Sequence, residues 1–300
     1  IIVNTTDKGT VRLILNNASI SNTTTAPIKV LDAKKVILTL ADNTTNTITD
    51  SSRLSTEEDY SAAIYSKEDL IINGNGTLNV NAGYRNGIKS TDDCIIVSGT
   101  LNITSTEDGI IGKDLCGIVA GDININAGSD GVKSTYDTDT TKGNVIIEGG
   151  NITIKASNDG IQAENILVIN DGTINIKTNN GAADTTQTHI DNMDMGRGGF
   201  GFNNNKTTTT TDDTSESRKG IKAGNMLIIN DGDITIDSDD DSVHCNSVIY
   251  IYGGTINAAT GDDGVHADDL LTVNGGTINI TQCYEGLEAD DIVINDGDIS

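Results

Sequence analysis

The chain has 300 residues, a formal net charge of −25 and only 3% aromatic residues, with no tryptophan. Such acidity repels polyphosphates and anionic membrane surfaces, which argues against nucleic acid as a partner. No apolar run approaches the ~20 residues of a membrane span, so a non-inserting monomer with a narrow aliphatic core is expected.

Residues 1–58 carry a loose repeat, "VRLILNNASI" followed by "KVILTLADNTTNTITD". Its alternating apolar residues predict the first turns of a stack. From Gly87 onward the repeat tightens. The glycine of a "DG"-type pair recurs at Gly87, Gly109, Gly131, Gly160, Gly220, Gly264 and Gly286, with Ser242 in the same slot. Successive gaps are 22, 22, 29, 60, 22, 22 and 22 residues, one period broken by two insertions. A fixed period in this range marks a solenoid, a propeller or an array.

Aligned columns decide between these. Ile88, Ile110, Val132, Ile161, Ile221, Val243, Val265 and Leu287 follow the marker, and two further aliphatic columns run through Ile123 and Ile118. Each repeat holds three short alternating runs, such as "GVHA", "LLTVN" and "TINI". Runs this short and β-branched are strands, and a single proline, Pro27, leaves their ladders unbroken. A propeller blade needs four strands and roughly 40 residues or more. The prediction is therefore an all-β, right-handed parallel β-helix with three strands and about 22 residues per turn. It forms one domain over residues 1–300, with a low-complexity loop inserted at 181–217.

The longer insertion, which includes "MDMGRGGFGFNNNKTTTTTDD", is rich in Gly, Asn and Thr and cannot bury a core of its own. It carries Phe200 and Phe202 and returns at Arg218, Lys219 and Lys222. It reads either as a flap over a binding face or as a bystander. The shorter insertion, "STYDTDTTKGN", brings Tyr136 and Asp137 toward the same side. Four cysteines do not make a disulfide scaffold; Cys94 and Cys116 share one column, and small buried thiols are preferred to a bridge between them.

Stacking sets equivalent residues of successive turns about 4.8 Å apart. Over the last three turns this gathers Asp239, Asp240, Asp241, Asp262, Asp263, Asp268, Asp269, Glu285, Glu288 and Asp290 on one edge, and no lysine lies within those turns. Such an array cannot stay fully ionised without counter-charge, and calcium supplies it through six to eight oxygen ligands. The plainer alternative is turn chemistry, with aspartate capping backbone and glycine permitting positive φ. That alternative is preferred for Asp130 and Asp159, calcium for the C-terminal cluster. His244 and His266 share an outward column with Lys89, Lys133 and Lys222. They are expected to be surface groups that touch a ligand, since two histidines among carboxylates are a weak zinc signature.

The units "NGIKSTDDCIIVSGTLNI", "DGVKSTYDTDTTKGNVIIEGGNITI", "DGIQAENILVINDGTINI" and "DGVHADDLLTVNGGTINI" resemble those of secreted bacterial carbohydrate-binding parallel β-helix proteins, which share the pectate-lyase fold. The resemblance covers roughly residues 8–300. It implies an extracellular or cell-surface protein that binds cellulose and acidic plant polysaccharides such as polygalacturonate, with calcium along the acidic positions above. Calcium would reverse the local sign and bridge protein carboxylate to sugar carboxylate. Lys89, Lys133, Lys222 and Arg218 add positive contacts, and Tyr84, Tyr136, Tyr284 or Phe200 offer sugar-stacking rings. The rival reading is a calcium-dependent polysaccharide lyase in which Lys89, Lys133, Lys222 or Arg218 removes the proton next to the uronate carboxylate.

Overall fold

The computed structural model describes residues 1–5, 9–51, 60–182 and 217–300. Every ladder is parallel and links one turn to the next. Eleven short strands, from Ile2–Asn4 to Leu287–Glu288, form one sheet. The other two strands of each turn build two further ladders, merged into a single sheet of 20 strands where Leu270–Gln282 and Asp291–Ile299 run straight through the corner. This is a parallel β-helix. No helix among the described residues is long and apolar enough to cross a membrane.

Register follows the sequence columns. Ile161 lies between Val132 and Ile221, and Val243 between Ile221 and Val265. These residues are fully buried, each burial contributing ~1.5–3 kcal/mol. The expected early turns are present: Thr10–Leu15 pairs with Lys35–Leu40, and that strand pairs with Asp69–Gly74. Cys94 and Cys116 pair in register, and both are buried free thiols.

Two glycine columns shape the turns, for different reasons. At the corner between the two long ladders, Gly172 adopts φ +126°, a conformation only glycine holds without strain. The marker glycines, Gly87 to Gly286, do not have positive φ, contrary to the turn chemistry read from the sequence. A Cβ on Gly160 would instead lie 2.5 Å from the Gly220 carbonyl oxygen of the next turn and 2.4 Å from Ile176 Cγ2. These glycines are required by close approach, not by handedness of the backbone. Ser242 breaks the column where register places Ala258 in the isoleucine slot between Ile236 and Ile280. A smaller core residue makes room for a larger turn residue.

Candidate functional site

Where an aspartate precedes the marker position, it serves the turn that follows it. Asp108 Oδ1 accepts from the Asp130 backbone N–H at 3.0 Å, Asp130 Oδ1 from Asp159 at 3.0 Å, and Asp159 Oδ1 from Lys219 at 2.8 Å. The ladder resumes with Asp241 accepting from Asp263 at 3.1 Å and Asp263 from Glu285 at 3.0 Å. Asp241, Asp263 and Glu285 are thus neighbours, as the period requires. The column is first a backbone cap, and its carboxylates are held close by that duty. Burial pushes the Asp130 carboxyl up to about 6 although Lys133 Nζ, 2.6 Å away, pulls it down.

Counter-charge comes from within the protein, contrary to the expectation of an unneutralised edge. Lys219 stands in the aspartate column one turn before Asp241. Its ammonium reaches Asp240 Oδ1 at 2.9 Å and Asp241 Oδ2 at 2.8 Å. Burial alone would lower the Lys219 ammonium, but Asp241 and Asp240 outweigh it and raise it. Arg218 pairs with the fully buried Asp239 at 2.8 Å. Asp239, Asp240 and Asp241 therefore have less need of a bound cation than their spacing suggests. Asp268, Asp269, Glu285 and Asp290 are exposed, and Ser247 donates to Asp269.

The histidines part company. His244 is buried rather than on the surface, its Nδ1 2.8 Å from Asp241 Oδ2 and its Nε2 2.9 Å from Asn246 Oδ1. His266, stacked edge-on to it with ring centroids 4.8 Å apart, remains a quarter exposed. Asp241, despite the burial that would raise it, is held well below the usual carboxylate range by His244, His266 and Lys219. Asp263 is pushed up to about 8 by burial and then by the adjoining Glu288 carboxyl.

A second acidic group escaped the sequence reading. Asp69, Asp92 and Asp93 bring carboxylate oxygens within 4.8 Å of one another. Asp93 follows register onto Asp69 through the Cys94–Leu70 pair, and Asp114 stacks on Asp92. Burial, then Asp69 and Asp114, raises Asp92 to about 6. Among the described residues, Lys35, 3.8 Å from Asp69, and Lys142, bonded to Asp114, offset this charge. Three oxygens whose charge is only partly offset fit a hard cation better than the Lys219-paired group does. The "DD" at residues 92–93 was the available signal; aligning turns on the "DG" marker hid its partner 24 residues upstream.

Beside the eleven-strand sheet lies a cleft of about 260 Å³, lined by Tyr136, Asp137, Asp139, Thr140, Glu164, Asn165, Asn225 and Asn246. These residues come from four successive turns, so the cleft runs about 14 Å along the axis. Side-chain amides are chained along it, Asn225 Nδ2 donating to Asn165 Oδ1 at 2.7 Å. Lys113 and Lys142 place their ammonium groups 4.7 and 4.9 Å from the Tyr136 ring centre. At least one face of that ring is therefore covered by lysine rather than left bare. Tyr84 is half-buried beside Arg85, and Tyr284 is exposed near the last turn. These two rings lie outside the cleft lining, and Phe200 falls outside the described residues, as do residues 183–216 of the expected flap.

Among the cationic candidates, Lys133 pairs with Asp130 and Arg218 with Asp239. Lys222 lies 3.2 Å from Ser217 Oγ and 3.9 Å from Asp159. Lys89 Nζ lies 3.4 Å from Ser61 Oγ, and burial lowers its ammonium against the pull of Asp108.

The sequence profile of carbohydrate-binding domain-containing proteins matches residues 1–264. A carbohydrate-binding domain-containing protein of Acetivibrio thermocellus is 39% identical over 95 residues, or 30% of this chain and 33% of that protein. The match thus spans about a third of that relative's length. A solved structure, of the polysaccharide lyase-like protein from C. thermocellum as a gadolinium derivative, has a TM-score of 0.58 at 34% identity. It covers 59% of this chain and 73% of its own.

Proposed function

The chain is a member of the family of carbohydrate-binding domain-containing proteins, and on that premise we propose that it binds plant cell-wall polysaccharide outside the cell, along the cleft beside Tyr136. The carrying observation is that hydroxyl, amide and carboxylate groups from four turns line one open groove next to two ammonium groups gathered on a tyrosine ring. Amides and carboxylates along the groove match the hydroxyls of a glucan such as cellulose. Lys113 and Lys142 offer charge to a uronate chain such as polygalacturonate, while Asp137, Asp139 and Glu164 oppose it. Calcium, when bound, supplies the positive charge that lets an acidic chain approach. Its favoured place is the Asp69–Asp92–Asp93 group, by the charge argument above.

Calorimetric titration with cello-oligosaccharide and oligogalacturonide tests the placement. Tyr136→Ala removes the platform that gathers the two lysines and is expected to weaken oligogalacturonide binding about tenfold, ~1.4 kcal/mol, within the range of cation–π contacts. Unchanged affinity for both sugars would move the site elsewhere.

A lyase reading keeps one specific support: the lowered Lys89 ammonium, a better base than its paired neighbours. Lys89→Ala separates it, since a lyase loses formation of unsaturated product whereas a binding protein shows none to lose.

A further inference from the structure

We propose that the outward face of the ladder from Lys35–Leu40 to Val248–Ile251 is the interface of a homodimer, two copies packing sheet on sheet with their coil axes antiparallel. The proposal does not rest on sugar binding, and it departs from the monomer expected from composition. In these eight strands the outward middle residue is Ile, Val or Tyr in every turn except one, from Ile37 through Ile95 and Ile146 to Tyr250. The neighbouring ladder shows that nothing inside the fold demands this. From Thr77–Ala82 to Thr255–Thr260 the same position is Asn or Thr throughout, as at Asn102 and Thr153. Isolated surface aliphatics are ordinary, but a continuous column of them marks a contact.

Leu115, Ile166, Met226 and Val248 widen the strip on one side. On the other, Val119 and Tyr252 are 43% and 51% exposed. Three outward columns over this length span on the order of 40 by 20 Å, which matches the ~800 Å² that each partner contributes to a stable interface. Lys35, Asp69, Asp93 and Glu148 sit at the margins, giving the polar rim around an apolar centre that interfaces share. Aliphatic side chains offer no hydrogen bonds. A glycan laid along them would bury hydroxyls without partners, whereas an identical aliphatic face asks for none.

The exception is Gly117, between Ile95 and Ile146. Its φ is not positive, and a Cβ built on it would meet only Ile95, at an ordinary 3.5 Å. Unlike the corner and marker glycines, it has no steric reason within the chain to lack a side chain. Glycine weakens a strand and marks places where another chain approaches closely. It also fixes the geometry. The apolar run from Ile37 to Tyr250 has its middle between Gly117 and Ile146. An antiparallel two-fold therefore sets Ile146 of the partner subunit into the dip at Gly117, and the reverse. A parallel two-fold would face Gly117 with its own copy and leave a void. The antiparallel arrangement also puts the Asp69 and Asp93 edges of the two copies at opposite ends, which eases repulsion between chains of −25 each.

Sedimentation velocity at rising protein concentration, in low and in high sodium chloride, is the test. A dimer that forms with concentration and tightens with salt is expected, because screening weakens the repulsion and leaves the apolar contact. Gly117→Ile fills the dip with the residue its column otherwise carries, so the dimer weakens about tenfold or more. At concentrations where both are monomeric, that variant melts no lower than the wild type. Ile228→Lys weakens the dimer similarly, and Asn175→Lys on the polar ladder leaves it unchanged. A wild type that stays monomeric throughout overturns the proposal. So does a dimer kept in folded Gly117→Ile and Ile228→Lys, or a Gly117→Ile monomer that melts lower. Monomeric protein whose co-sedimentation with crystalline cellulose is lost in Ile228→Lys would overturn it too, and assign the face to polysaccharide.

Discussion

Ser242 stands in a column otherwise made of glycine, and its partner slot in the core holds Ala258 between Ile236 and Ile280. If the two residues compensate, Ala258→Ile overpacks the turn and costs ~1–3 kcal/mol. Adding Ser242→Gly then recovers most of that loss, with a coupling of ~0.5–3 kcal/mol. Urea melts of the two single variants and the double measure it, and additive losses would refute the pairing. At the same scale, Asp92 makes stability depend on pH. Its folded pKa is raised from 3.8 to about 6, by burial first and then by Asp69. A raised carboxyl contributes stability that is complete below 3.8 and lost as pH climbs through about 6. Melting temperature in chelator is expected to fall across that window, to flatten in Asp92→Asn, and to recover when calcium is restored. A fall unaffected by both changes would assign the titration to another group.

Each short strand of the stack is stabilised by the turns on either side. Ile161, fully buried between Val132 and Ile221, is therefore expected to cost ~2–5 kcal/mol when cut to alanine, read from the shift in urea midpoint. At this level much of the molecule was legible from its letters. The period alone placed Asp241, Asp263 and Glu285 in adjacent turns, and the aliphatic columns became the core. Geometry across a turn was not legible. That Lys219 reaches forward to Asp240 and Asp241 depends on where a side chain points, which a column cannot tell. His244 shares its column with half-exposed lysines yet is buried, because Asp241 and Asn246 enclose both ring nitrogens. Asp69 and Asp92 meet across a corner, outside any single column.

Across the whole molecule, a charge of −25 confronts the proposed polysaccharide partner, neutral or itself acidic. Solenoids transmit stability between neighbouring turns, so a cation bound at the proposed Asp69–Asp92–Asp93 group would brace the adjoining turns and lower the negative charge of the surface around it. Cation loading and polysaccharide binding are therefore expected to rise and fall together for acidic chains, and to be uncoupled for neutral glucans. The most direct measurement is co-sedimentation with polygalacturonate, with and without calcium, while ultraviolet absorbance of the supernatant is followed. Calcium-dependent co-sedimentation at constant absorbance is the predicted result. Rising absorbance from unsaturated product, or no association in calcium with either polygalacturonate or cellulose, would contradict it.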